Sequence, residues 1–199
     1  MQRNIFHKIR TFPIRRPIVF GMGFSGLKTG GVDLFVQTQV EGRELKDVDR
    51  RRCLFFTSFG ILYLGGIQYA IYVPIFGRLF PNMISFSKKS LVNKLRDKHG
   101  MRQVGYQVVL DQFVHHPLLY FPTFYVFKQI VDSDFIDRST IRMGLGRYAE
   151  NYRVDLPKLW TLWIPATIIN FMFNPIWMRI PFTATISVVW TGIMSMLRG

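Results

Sequence analysis

The sequence predicts an all-α, multi-pass helical membrane bundle, and three observations carry that reading. Hydrophobic residues make up 49% of the 199 positions and charged residues only 19%, with a positive mean hydropathy. That leaves too little polar surface for a water-soluble domain of this length. The apolar residues also lie in runs. Cys53 to Gly77 holds no charged residue, Val104 to Phe127 only Asp111, and Leu159 to Leu197 only Arg179, whereas a helix needs about 20 apolar residues to cross the hydrocarbon layer. Finally, the net charge of +14 alternates from loop to loop. Residues 1–16 carry Arg3, Lys8, Arg10, Arg15 and Arg16 without an acid, and residues 78–102 carry seven basic residues against Asp97, a net of +6. Residues 41–52 and 128–158 are almost neutral. Basic loops stay on the side from which a chain is inserted, so four principal spans are expected, with both termini on the basic (matrix or cytosolic) side. The whole chain, 1–199, reads as one membrane domain.

The first span covers about 17–40. Gly23, Gly26, Gly30, Asp33 and Gln37 are spaced 3, 4, 3 and 4 residues apart, which at about 100° per residue puts all five on one helical face. Glycines let another helix approach closely, and Gly26 and Gly30 form a small-residue pair at the required spacing. The polar pair below them belongs inside a bundle, not in lipid. The second span, about 53–76, follows Arg50, Arg51 and Arg52, read as interfacial anchors. It contains Gly60 and Gly65 as further helix-packing positions and breaks at Pro74. After it, residues 80–102 are basic and sparsely apolar, and a short surface helix is expected there. Its Lys88 and Lys89, like Arg15 and Arg16 before the first span, are placed at lipid headgroups, at about 1 kcal/mol per basic residue near an anionic surface.

The third span, about 104–127, stacks Gln107, Asp111 and His115 at four-residue intervals. Pro117 then removes one backbone donor and leaves a carbonyl about one turn earlier without its bond. An amphipathic surface helix is expected over 132–158. The last apolar stretch is too long for one span and is interrupted by Pro165, Pro175, Arg179 and Pro181, so it reads as a half-span or interfacial helix over about 159–173 and a final span over about 176–197.

The residues that could carry function are few. Asp33 and Asp111 each cost about 2.5 to 3.5 kcal/mol at a helix centre, so each either lines a wet path or bonds a neighbour such as Gln37 or His115 as interhelical glue, the latter being favoured. Arg179 either lines a pore or caps the broken helix. Asn170 and Asn174 read as interhelical bonds, and the tryptophans at the ends of this stretch as interfacial anchors. The pair His115–His116 is not read as a metal site, because adjacent helical residues point about 100° apart and no Cys or Glu completes a ligand set. No metal and no cofactor are expected. Cys53, the one cysteine, excludes an intramolecular disulfide. No nucleophile with a paired base and no phosphate-binding glycine loop is present, which argues against an enzyme. No recognition module accompanies the basic residues, which argues against nucleic acid.

The C-terminal stretch reads Asn151-Tyr152, Trp160-Thr-Leu-Trp163-Ile-Pro165-Ala166, Asn170-Phe171, Pro175, Arg179, Trp190 and Ser195. Earlier in the chain come Gly30-Gly-Val-Asp33 with Gln37, the Arg50–Arg52 cluster ahead of Gly60 and Gly65, Tyr72, and Asp111-Gln112 ahead of Pro117. In this order they resemble the 22-kDa peroxisomal membrane protein family, in its mitochondrial inner-membrane, Mpv-type branch. The family usually has Gly-Pro where this chain has Gly65-Gly66 and tryptophan where it has Ile71, so a divergent member is implied. The resemblance implies a non-enzymatic organellar membrane protein, of a family of proposed weakly selective channels concerned with membrane organisation and metabolite balance. The alternative is an accessory subunit of a large inner-membrane assembly such as a respiratory complex or ATP synthase. The expected partners are anionic lipids, cardiolipin among them, and other membrane subunits in the second case. The acid-free basic N-terminus favours the mitochondrial inner membrane over the peroxisomal membrane.

Overall fold

The structure is a computed structural model that describes residues 12, 15–133, 137–174 and 176–199, with side chains left out for 176–181. The chain is all-α, and there is no β-strand among the described residues. Helix α1 runs Pro17–Phe35 and continues into a wider turn, Val36–Val40. Helix α2 is Arg50–Leu79. Two short helices follow, α3 (Met83–Ser87) and α4 (Leu91–Arg96). Helix α5 begins as Lys98–Val109, widens over Leu110–Tyr120 and closes as Phe121–Asp132. Helix α6 is Arg138–Phe173 and α7 is Ile176–Arg198.

The helices start where the local chemistry dictates. Pro17 opens α1 in the first-turn position, where its missing N–H is not needed. The Asp49 carboxylate accepts the Arg52 N–H at 3.0 Å to cap α2, and Asp97 accepts the Gly100 N–H at 2.9 Å to cap α5. At α6 Asp137 and Thr140 form a reciprocal capping box. Hydrogen bonds from the Ser139 hydroxyl and the Thr140 N–H pull the Asp137 carboxyl down to about 2.

The chain divides into two compact units, Met1–Ile75 with Met194–Gly199, and Phe76–Ile193. In the first unit α1 and α2 pack as an antiparallel hairpin that turns through Gly42, whose φ of 70° suits glycine. The register can be read from contacts that straddle one midpoint near Gly42. A Cβ at Gly26 would strike the Ile61 side chain, at Gly30 the Thr57 side chain, at Gly60 the Ser25 backbone and at Gly65 the Met22 backbone. Closest approach is thus fixed by glycine on both helices, and Thr29 Oγ1 donates across the seam to the Phe56 carbonyl at 2.7 Å. Gly23, expected on the same packing face, is exposed, with nothing near its Cβ position.

In the second unit α5 packs along α6. A Cβ at Gly144 would meet the Val126 backbone, the Tyr148 hydroxyl donates to the Pro117 carbonyl at 2.8 Å, and the Tyr125 hydroxyl donates to the buried Asp155 carboxylate. From α7, Trp190 Nε1 donates to the Tyr120 hydroxyl at 2.9 Å.

Two differences from the sequence reading have physical causes. The expected surface helix and half-span are one helix, Arg138–Phe173, with Pro157 and Pro165 inside it. At 1.5 Å per residue it is about 54 Å long, and its lateral bonds to α5 hold it together through positions where proline removes a backbone donor. By length and composition, one described helix, Arg50–Leu79, is long and apolar enough to cross a membrane. In α1, α5 and α6 the apolar residues are diluted by glycines and Asp33, by Asp111 with its polar neighbours, and by a charged first half, respectively.

Candidate functional site

Two buried polar clusters stand out, one in each unit. The first surrounds Asp33, which is fully buried. Arg52 Nε donates to Asp33 Oδ1 at 2.7 Å, and its Nη1 to Glu41 Oε1 at 2.7 Å. Its Nη2 reaches the Ser195 carbonyl at 2.9 Å and the Ser195 hydroxyl at 2.6 Å, while that hydroxyl donates to Asp33 Oδ1 at 2.8 Å. Gln37 completes the cluster. Its amide donates to Asp33 Oδ2 at 2.8 Å, and its Oε1 accepts the Asp49 N–H at 2.7 Å, tying the interhelical loop to α1. Cys53 Sγ lies 3.4 Å from the same amide. A single buried guanidinium is thus opposed by two carboxylates, and each polar group on this face has a defined partner.

Arg52 was read as an interfacial anchor and is instead 5% exposed at the centre of the cluster. Ser195 was not singled out for a role either. The signal was present: a buried aspartate demands a cation, and Asp33 and Arg52 are set symmetrically about Gly42, as a hairpin requires.

The second cluster lies on α5, where the winding widens so that the N–H of residue i bonds the carbonyl of residue i−5. Asp111, Gln112, His115 and His116 are all buried there. His115 Nδ1 lies 2.9 Å from Asp111 Oδ1, and His116 Nδ1 donates to the Asp111 carbonyl at 2.7 Å and lies 3.8 Å from Asp111 Oδ1. Gln112 Nε2 donates to Asp111 Oδ2 at 2.7 Å and reaches Thr167 Oγ1 on α6 at 3.2 Å. The histidines do not diverge as the sequence argument assumed, and their ring centroids are 4.8 Å apart. In the wider winding each residue turns through less than the α-helical 100°, so both rings come round to Asp111, one from four and one from five residues on. One ligand-capable atom from each of Asp111, His115 and His116 lies within 4.8 Å of the others.

Pro117 is the cause of a further contact. With i−5 bonding, its missing N–H leaves the Gln112 carbonyl without a backbone donor, and Trp160 Nε1 supplies one at 2.9 Å. Trp160 and Trp190 therefore bond between helices, where interfacial anchoring was expected. Four amide oxygens on this helix, the Oε1 atoms of Gln103, Gln107, Gln112 and Gln129, and the indole Nε1 of Trp163 on α6 are buried with no hydrogen-bond partner.

Asn170 Nδ2 donates to Thr183 Oγ1 at 3.0 Å, joining α6 to α7, and Asn174 donates to Asn170 at 2.9 Å. The Arg179 side chain lies outside the described residues. Arg15, Arg16 and Lys88 are exposed. Lys89 is paired with Asp97 at 2.6 Å, and hydrogen bonds from the Gly100 N–H and Lys89 hold that carboxyl below its ordinary range.

Comparison with known proteins bears on these same residues. The model of the Mpv17 / PMP22 family matches residues 150–195, the stretch that supplies Trp160, Trp163, Thr167, Asn170, Trp190 and Ser195. The chain is also 21% identical to Protein SYM1 of Candida albicans over 203 residues, covering 97% of this chain and 96% of that protein. The chain thus resembles the Mpv17 / PMP22 family in its C-terminal stretch and Protein SYM1 along nearly its whole length. No solved structure matches it.

Proposed function

We propose that this Mpv17/PMP22 relative is a non-enzymatic, multi-pass protein of the mitochondrial inner membrane that provides a weakly selective path for small polar solutes. Its four spans are those read from the apolar runs, with both termini on the matrix side. The observation that carries the proposal is an inversion of the usual globular pattern along α5. Val109, Phe113, Val114, Leu118 and Leu119 are exposed, while Gln107, Asp111, Gln112, His115 and His116 are buried. Exposed apolar side chains belong against lipid, and buried amide oxygens without donors belong against water or a polar solute. The Asp111 column, continued on α6 by Thr167 and Asn170, is the lining. Asp33 and Gln37, with Arg52 bonded to them, act as a structural clamp. Arg15, Arg16 and Lys88 grip anionic headgroups of the cardiolipin class, and the acid-free basic N-terminus supports the mitochondrial location.

The test is reconstitution of the purified chain in planar bilayers, with conductance recorded for the wild type and for Asp111→Asn. The wild type is expected to conduct, and Asp111→Asn to change single-channel conductance or ion preference with the fold intact. If the isolated chain conducts nothing and leaves the membrane in mild detergent only together with a larger assembly, the path is lost and the accessory-subunit role takes its place.

A further inference from the structure

We propose that Asp111, His115 and His116 form a site for one divalent transition-metal ion of the zinc class, with Gln112 Oε1 as a fourth ligand. The three side chains each bring one ligand-capable atom to within 4.8 Å of the others, and small rotamer changes close that spacing to the roughly 3.3 Å edge set by metal–ligand bonds of about 2.0–2.1 Å. Two imidazoles with one carboxylate select zinc or a neighbouring first-row ion over calcium or magnesium, which prefer oxygen ligands throughout.

Three features show a built site. A backbone carbonyl can only accept, so the 2.7 Å contact of His116 Nδ1 with the Asp111 carbonyl places the imidazole proton on Nδ1. The lone pair is then on Nε2, and ring orientation is fixed by a carbonyl, as is usual for metal-bound histidines. Gln112 donates its amide N–H to Asp111 Oδ2 at 2.7 Å, which holds the amide beside the carboxylate, and its Oε1 is fully buried with no donor. Gln107 Oε1, one turn earlier on the same helix, is also buried without a donor. The amide oxygens of Gln107 and Gln112 thus lack donors, and leaving such acceptors unmet in a buried place is costly. A cation satisfies all of these groups together. The wide winding of Leu110–Tyr120 is what makes the site, since an ordinary α-helix would send the two imidazoles in different directions. The ion in turn cross-links three residues of that turn and locks it.

This proposal does not rest on solute conduction, and its test reads binding alone. The full chain, purified in detergent with a tag that lacks histidine and stripped with chelator, is titrated with Zn²⁺ against a fluorescent competitor, and with Co²⁺ by visible absorption. One Zn²⁺ per chain and a Co²⁺ spectrum of low-coordinate nitrogen and oxygen ligation are expected. His116→Gln should weaken Zn²⁺ binding at least about tenfold and abolish the spectrum, as loss of a ligand or of its support does elsewhere. His99→Ala, at an exposed histidine on the same helix, should leave both unchanged. The proposal is overturned if the wild type shows neither stoichiometric binding nor the Co²⁺ spectrum, or if His116→Gln and Asp111→Asn bind as the wild type does. Because the wild-type spectrum is itself decisive, a variant that fails to fold does not protect the idea.

Discussion

Asp33 and Asp111 are both aspartates buried on a helix, yet their surroundings differ in kind. Asp33 faces a guanidinium that also bonds Glu41 and the Ser195 carbonyl, so its charge is paired directly and each polar group has a partner. Asp111 faces two imidazoles and an amide, with surplus acceptor oxygens nearby. The first arrangement is closed and holds helices together. The second leaves glutamine oxygens beside it without donors. Burial of a carboxylate therefore does not decide between glue and function; the balance of donors to acceptors around it does.

The largest expected effect comes from breaking the closed cluster. Arg52→Ala leaves Asp33 buried without its cation and should cost about 3–5 kcal/mol. Cys53, 3.4 Å from Gln37, supplies the readout, as its rate of labelling by a thiol-reactive dye on heating should rise at a much lower temperature than in the wild type. The glycine seam beside that cluster comes next. Gly65→Ala pushes a methyl into the Met22 backbone and should cost about 1–3 kcal/mol, whereas Gly23→Ala should stay within about 0.5 kcal/mol; equal effects at the two positions would contradict the hairpin register. In the open cluster, Trp160→Phe keeps the ring and removes the donor to the Gln112 carbonyl, an effect of about 1–3 kcal/mol. Hydrogen exchange should then quicken around Pro117 and leave α1 and α2 unchanged. The smallest effect lies outside both clusters. The Asp137 carboxyl is depressed to about 2, so its capping contribution is full above the ordinary carboxylate pKa of about 3.9 and is lost as pH falls through about 2. Amide exchange at the start of α6 should stay slow at pH 4, and Asp137→Asn should flatten the acid dependence.

Much of this was legible in the sequence, because the apolar runs and the glycine spacing act through helical period alone. The all-α class, the Asp111 to His115 bond, the Gln37 to Asp33 bond and the carbonyl released by Pro117 all follow from residues four or five apart on one strand of chain. What was not legible depended on distant partners or on a departure from α geometry. Arg52 looked like an anchor because its bonds to Asp33 and Ser195 exist only once helices are paired. Trp160 looked like a membrane-surface residue because its acceptor, the Gln112 carbonyl, becomes available only through tertiary packing and the wider winding. The same winding undid the argument from 100° per residue that set His115 and His116 apart. Residues 159–173 looked like a separate half-span because proline weakens a helix locally, and the bonds that carry α6 through Pro157 and Pro165 come from another helix.

The Ser195 acceptors of Arg52 lie 143 positions along the chain from it. During synthesis the α1–α2 hairpin forms with its guanidinium short of two acceptors, and they arrive only when α7 has been made. The hairpin is therefore provisional until α7 has been made, and a chain interrupted before Ser195 carries an arginine short of acceptors.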